Sequence, residues 1–465
     1  MTLYFLFLLF RVFVMFILWY VIVMAGINVL QMIRALILAP RHITRTQSFE
    51  YKIMGSSENV IPISLIVPAY NEETYIVESL KLMLNMNYFN YEIVVINDGS
   101  TDSTLETVIN AFGLHKTTYP IREQLATKKV RGIYYNPDIP RLRLIDKENG
   151  GKCDALNAGI NLSRYPYFVS VDADSLLDTD ALVHIAMAFM QNKYTVSVGG
   201  VIRVANGCSV KNEKNLDISL PNNIWVLLQT LEYFRSFLVG RIGWSSVNSM
   251  LIINGSFGAF QKAAVLQVGG YTAGTAGQEM DLVVKLHRYM RKKNYKYQMS
   301  FLPDPICWTM VPDSLHDLFR QRRRWQVGFM DIVGRYREMF LNPRFGMPGM
   351  LTMPYHFLAE IVSPCIELLG YILIPLAYYF RFLPLESLIL FFLASVVFGM
   401  ITSMGSLVVE EFTNSRFIKV QDGLRLGLLC IAENLFYRQI TMAFRVIGIL
   451  FYGKYRQASW KRQKK

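Results

Sequence analysis

Ile61-Pro62-Ile63-Ser64-Leu65-Ile66-Val67, running into Pro68-Ala69-Tyr70-Asn71-Glu72, is the stretch that decides the fold. It is a short apolar run with β-branched residues, closed by turn and capping residues and followed by a helical pattern. Tyr91 to Ile96 repeats the arrangement and closes on Asn97-Asp98-Gly99-Ser100-Thr101-Asp102. Strand and helix in alternation predict an α/β domain with a mostly parallel sheet. Ligands of such sheets gather at the carboxyl ends of the strands, so the residues just beyond each run are the first candidates for a site.

Asp98 stands at a strand tip before a glycine turn. Its carboxylate is placed to accept hydrogen bonds from a base or ribose, or to fold back on the chain as an Asx-turn. Asp102 reads as the N-cap of the next helix. Gly150-Gly151-Lys152 precedes a helical stretch from Asp154 to Gly159. Two glycines, a helix N-terminus and an ammonium group suit a phosphate, although the spacing of a Walker A loop is absent. Tyr167 to Val171 is a further strand that runs into Asp172-Ala173-Asp174. Carboxylates at i and i+2 of an extended chain point the same way. Two so close repel unless a cation lies between them, which fits a magnesium-type ion, Mg2+ or Mn2+, shared with diphosphate oxygens. Downstream come Gln278-Glu279-Met280-Asp281 and then Gln321-Arg322-Arg323-Arg324-Trp325. The pentad combines an amide, three guanidinium groups and an indole, suited to holding a diphosphate beside the flat face of a sugar.

Around this acidic middle the composition changes. The chain has 465 residues, 52% of them hydrophobic, and its mean hydropathy is +0.26, which leaves room for membrane segments beside a soluble domain. Val12 to Leu30 is nearly uncharged and long enough to cross a bilayer, and no basic n-region or small-residue cleavage site marks it as a signal peptide. His356 to Phe380 and Leu388 to Val409 are two more spans; Glu360 and Glu367 in the first are expected to face other helices or a polar path. Leu424 to Tyr452, with Glu433, Arg438 and Arg445, reads either as a further span or as an amphipathic helix on the cytosolic surface. Arg34, Arg41 and Arg45 follow the first span, so the positive-inside rule puts the N-terminus outside and the domain in the cytosol. The expected order is a transmembrane helix at 1–40, a cytosolic domain at 55–340, an interfacial segment at 341–355, a transmembrane region at 356–452 and a basic tail at 453–465. The plasma membrane is the expected location. The net charge of +13 clusters beside the apolar segments, pointing to anionic membrane lipids rather than nucleic acid as partners. Five cysteines, none spaced Cys-x-x-Cys, support neither a disulfide framework nor a zinc site.

Taken in order, the Asp after the second strand, Asp-x-Asp, the acidic motif and Gln-x-x-Arg-Trp make the chain resemble the membrane-integrated family-2 glycosyltransferases. That group includes cellulose, chitin, hyaluronan and poly-N-acetylglucosamine synthases. The resemblance covers roughly residues 55 to 340 by motif and the hydrophobic ends by layout. It implies a GT-A type nucleotide-sugar transferase domain flanked by N- and C-terminal transmembrane helices. By the resemblance Tyr70, Glu72 and Asp98 hold the uridine, Lys152 and Asp172 the nucleotide sugar, and Asp174 with Asp172 the metal. Gln321 and Arg324 are the pyrophosphate partners and Trp325 the platform under the acceptor. Gly255-Ser256-Phe257-Gly258-Ala259-Phe260 is similar to the glycine-rich segment on the acceptor side, which makes Phe257 and Gly258 acceptor contacts. Where relatives commonly read Gly-Glu-Asp-Met-Glu, this chain has Gly277-Gln278-Glu279-Met280-Asp281, so Glu279 takes the place of the catalytic base and Asp281 is the reserve. The implied activity is inverting, metal-dependent and processive transfer from a UDP-sugar to a growing polysaccharide. The alternative is a single addition to a lipid or lipid-linked acceptor, a glycolipid. A homo-oligomer or an accessory subunit is compatible with either.

Overall fold

A computed structural model of the chain describes residues 2–46, 57–211, 215–413 and 420–456. Its soluble part carries twelve strands: β1 (Ile63–Ala69), β2 (Tyr91–Asn97), β3 (His115–Thr117), β4 (Val130–Tyr135), β5 (Leu142–Lys147), β6 (Tyr167–Val171), β7 (Leu176–Leu177), β8 (Thr195–Val204), β9 (Ser209–Lys211), β10 (Asn215–Asp217), β11 (Phe257–Gln261) and β12 (Gln298–Thr309). Ten form one sheet in the order β3-β4-β5-β2-β1-β6-β11-β8-β12-β7, and β9 pairs with β10 apart from it.

Strands β5, β2, β1 and β6 are mutually parallel, as the alternating pattern predicts. The rest of the sheet is mixed, so the expected mostly parallel sheet describes that block alone. Among the described residues, four of the nine pairings in the large sheet are parallel, β8 with β12 being the fourth. The reason lies in where the chain enters β11. Its first residue, Phe257, pairs with Val171, the last of β6, so β11 starts at the ligand end and must run back between β6 and β8.

Strand periodicity divides the core into two layers. Leu65, Val67, Ile93 and Val95 face one side, packed with Leu80, Met83, Leu182 and Ile185 from the helices Ile76–Leu84 and Ala181–Gln191. Ile66, Val94, Ile96 and Ile145 face the other, under Leu156 and Ile160 of Lys152–Leu162 and Leu282 and Leu286 of Gln278–Lys292. A sheet covered on both faces fixes its strand tips, and the loops there inherit that rigidity.

Among the described residues three helical segments are long and apolar enough to cross a membrane: Phe7–Pro40, Pro348–Tyr379 and Leu385–Thr413. They present Val12, Phe16, Trp19, Ile372, Ile389 and Met404 outward, as lipid-facing helices do. Polar groups turn inward: Tyr20 Oη donates to the Leu358 carbonyl at 2.8 Å and lies 3.0 Å from Ser363 Oγ. The third segment ends back at the soluble domain, where buried Glu410 pairs with Arg203 of β8 at 2.6 Å.

The ambiguous C-terminal stretch is helical from residue 420 to 450 and lies along the soluble domain. Its first part packs on the helix Ile224–Tyr233 and its last part on Leu315–Arg335. Beyond it, Arg456 pairs with Asp331 at 2.9 Å. Leu424, Leu428, Phe436 and Leu450 remain exposed while Glu433, Asn434 and Tyr437 are buried. The middle of the stretch also packs on the apolar segments, Arg438 pairing with Glu367 at 2.7 Å, so its contacts reach both the domain and the candidate spans. The basic tail beyond residue 456 lies outside the described residues.

Candidate active site

Asp98 directly follows β2, and its carboxylate contacts come from the last residue of β5 and the loop after it. Oδ1 accepts from Lys147 Nζ at 2.6 Å and the Gly150 amide at 3.0 Å, and Oδ2 accepts from the Gly151 amide at 2.7 Å. The glycine amides read as a phosphate cradle are therefore spent on an internal anion, and Asp98 lines the cavity in this held position. Gly99 has φ +67°, and a Cβ there would meet the Asn149 amide at 2.8 Å, so only glycine lets the two loops close. The N-cap of the helix Thr104–Phe112 is Ser103 rather than Asp102; Asp102 stands one residue earlier and accepts from the Thr104 amide at 3.0 Å, tying down the helix start from there.

The Asp-x-Asp pair departs from the extended geometry expected of it. β6 stops at Val171 and the chain turns at Ala173-Asp174, with the Ser175 amide donating to the Asp172 carbonyl at 3.0 Å. A turn around buried Ala173, not a pleat, brings both carboxylates to the cavity. Burial first, and then Asp172, pushes Asp174 up to about 6 against the opposing Lys152. Burial first, and then Asp174, Asp172 and Asp102, pushes Glu72 up to about 7. Carboxylates that raise one another this way form a site with surplus negative charge, which a divalent cation relieves. Among the described residues no three His, Cys, Asp or Glu side chains gather closely enough to enclose an ion unaided. That suits an ion completed by substrate phosphates.

Lys152, on the first turn of its helix, links Asp172 to Glu279. Its Nζ lies 2.7 Å from Asp172 Oδ1, 3.1 Å from Glu279 Oε1 and 3.1 Å from the Gly255 carbonyl. Burial works against its charge, but Asp172 and Glu279 more than offset this and hold the proton above the ordinary lysine range. Glu279 is thereby placed two residues from the N-cap of Gln278–Lys292, facing the cavity. Asp281 is not. It is fully buried, accepting from Arg335 Nη1 at 2.8 Å and Tyr336 Oη at 3.0 Å, and does not reach the cavity. The reserve base is a clamp between two helices, because two positions along a helix turn a side chain to the far face.

The acceptor-side expectations need a second correction. Phe257 and Gly258 lie inside β11, Phe257 with no exposure, and neither lines the cavity. The cavity wall is instead Ile253, Asn254, Gly255 and Ser256, the approach to the strand. Gln321, Arg324 and Trp325 do line it from the helix Leu315–Arg335. The Arg322 guanidinium lies 4.4 Å from the Trp325 ring centre and pairs with Glu232 at 2.7 Å, holding the indole from behind. Tyr70 is exposed at the rim. Lys147, Glu232 and Phe237 were not singled out in the sequence; each works through a partner remote in the chain. The whole cavity measures about 1340 Å³ and continues past Trp325 to Glu360 and Glu367. Those two meet Arg445 and Arg438, each at 2.7 Å, which is the polar path expected of them.

Residues 64–244 match glycosyl transferase family 2, and residues 167–402, just over half the chain, match glycosyl transferase family group 2. A poly-beta-1,6-N-acetyl-D-glucosamine synthase of Staphylococcus epidermidis is 27% identical over 294 residues, 63% of this chain and 60% of that protein. Its counterpart from Staphylococcus aureus is 30% identical over 275 residues, 59% of this chain and 56% of that protein. The chain thus spans less than two thirds of the length of these relatives. A mannosyltransferase from Pyrobaculum calidifontis, solved with GDP-Man and Mn2+, superposes with a TM-score of 0.51 at 15% identity, covering 93% of this chain and 98% of that one, a likeness of GT-A-like fold. The chain belongs to the family-2 glycosyltransferases, with its catalytic domain joined to apolar helices long enough to span a membrane.

Proposed function

We propose that this protein transfers a sugar from a UDP-sugar to a growing polysaccharide, inverting the anomeric centre and adding units processively. The observation that carries the reading is the single cavity that runs from Asp98, Asp172 and Lys152 past Glu279 and Trp325 to residues of the apolar helices. A product extended at Trp325 has a polar route onward between those helices, which a one-sugar transferase has no use for. The relatives named as poly-N-acetylglucosamine synthases make an N-acetylglucosamine donor the first to try.

Glu279 takes the proton from the acceptor hydroxyl as that oxygen attacks the anomeric carbon opposite the diphosphate. Lys152 leaves Glu279 for the diphosphate as the donor enters, which frees the base. Gln321 and Arg324 bind the leaving group, and Trp325 presents its indole face to the acceptor ring. Tyr70, Glu72 and Asp98 border the nucleotide. Asp174 and Asp172 would hold Mg2+ or Mn2+, which supplies positive charge to the departing diphosphate.

Three crossings account for the layout. The N-terminus lies outside, the domain with the helix at 420–450 lies on the cytosolic face, and residues 341–355 lie at the interface, in the plasma membrane. The contact of Arg456 with Asp331 supports this, since it keeps the last described residue against the helix Leu315–Arg335 of the domain. The test is to incubate purified protein in lipid with a panel of UDP-sugars and either metal, measuring free UDP and product length. Long products at low conversion are expected; UDP release with only single-sugar products would transfer the reading to the lipid-linked acceptor.

A further inference from the structure

Arg241 carries a charge that nothing in the described protein answers. It sits in the short helix Gly240–Ser245, is 7% exposed, and lines the cavity. Its Nη1 is buried without a hydrogen-bond partner, and its guanidinium rests over the Phe237 ring at 4.4 Å. Phe237 in turn packs on Trp325, with ring centres 6.2 Å apart, so Arg241 stands one ring beyond the acceptor platform. An unpaired buried guanidinium is costly unless a ligand completes it.

The neighbouring charges sharpen the point. Arg322, Arg241 and Arg324 all act on the buried Tyr233 hydroxyl, against one carboxylate, Glu232. Glu232 is already committed to Arg322 and Tyr437, each at 2.7 Å, with Arg445 at 3.9 Å. Burial pulls Arg241 itself down to about 9, with only Tyr233 acting the other way. Beside it His356 Nδ1 is likewise buried without a partner and faces the same cavity. Glu360 also acts on His356 but is itself paired with Arg445 at 2.7 Å, so the charge left over at this corner is positive and the Arg241 Nη1 donor is unused, the complement of an anion.

We propose that the acceptor is an acidic saccharide, and that Arg241 binds its carboxylate or phosphate group next to the ring stacked on Trp325. This rests on the transferase reading above and narrows it: a chain grown processively and acidic at the acceptor end must contain an acid-bearing unit, so a neutral homopolymer of N-acetylglucosamine is not its product.

The test is binding, so it does not depend on turnover. The full-length protein in lipid nanodiscs is saturated with UDP, to occupy Arg324 and the donor side. A β-linked disaccharide, its 6-phosphate and its uronate form are then titrated by calorimetry. Wild type should bind the acidic forms roughly tenfold to a hundredfold more tightly than the neutral one, the range of a charge-assisted hydrogen bond. Arg241→Met should erase the difference between the acidic and neutral forms, and Arg241→Lys should restore part of it. The phosphate and uronate arms tell which acid is preferred. Equal binding of all three sugars by wild type, or a preference that survives in Arg241→Met, overturns the proposal. UDP binding, read in the same titrations, reports on the donor site separately, so the failure of one reading is distinguishable from failure of the other.

Discussion

Gly255→Ala isolates the placement of the base from the stability of the fold. A Cβ at Gly255 would lie 2.7 Å from Oε1 and 2.9 Å from Cδ of Glu279. Ordinary contact begins near 3.4 Å, so the carboxylate must retreat by 3.4 − 2.7, about 0.7 Å. Gly255 is not among the glycines held at positive φ, and the obstructing atoms are the mobile end of a side chain. Folding therefore tolerates alanine, and the melting temperature should hold or rise slightly. The base does not tolerate it: a displacement near 1 Å costs on the order of a hundredfold in rate, about 2.7 kcal/mol of barrier. Initial rates of sugar incorporation at saturating donor and acceptor should show kcat down by that factor with donor KM little changed. Adding Glu279→Asp, one methylene shorter, should recover part of the loss. A variant within twofold of wild type, with unchanged melting, would refute the placement of Glu279 against Gly255.

Removing the base outright, Glu279→Gln should leave donor binding largely intact and cut transfer by roughly 10²–10⁴-fold, checked by UDP titration and incorporation; full activity sinks its role. Asp281→Asn should do the opposite. It weakens a buried pair with Arg335 and destabilises by about 2 kcal/mol, visible as a lower melting temperature with transfer retained, and the reverse pattern would return Asp281 to the base. Glu72 and Asp174, raised to about 7 and about 6, hold protons in the folded state that the unfolded chain has released. Their contribution to metal-free stability is present at low pH and lost as pH climbs from about 4 through those values, while binding of Mg2+ tightens over the same window. Melting curves of wild type against Glu72→Gln, with and without metal, check the sign; a wild-type advantage that grows with pH in the absence of metal contradicts it.

The parallel block β5-β2-β1-β6 was legible because buried strands that alternate with helices leave short β-branched runs in the sequence. β11 gave no such signal: its glycine and phenylalanines read equally well as a binding loop, and only its position between β6 and β8 shows that Phe257 is core. Asp281 misled for a related reason, since proximity in sequence to Glu279 says nothing about which face of a helix meets Arg335. Glu360 and Glu367 were readable because ionised groups in apolar helices need partners, although the identity of those partners, Arg445 and Arg438, was not.

The order of short motifs and the apolar segments around them, properties of local composition and spacing, were sufficient by themselves to indicate the family and the presence of helices long and apolar enough to cross a membrane. Tertiary structure alone decided that Lys152 bridges Asp172 and Glu279, that Arg438 of the C-terminal helix meets Glu367, and that Arg241 Nη1 is left without a partner. Each of these depends on groups from distant parts of the chain being brought within a few ångströms, and on how much water is excluded when they meet, which no linear spacing encodes.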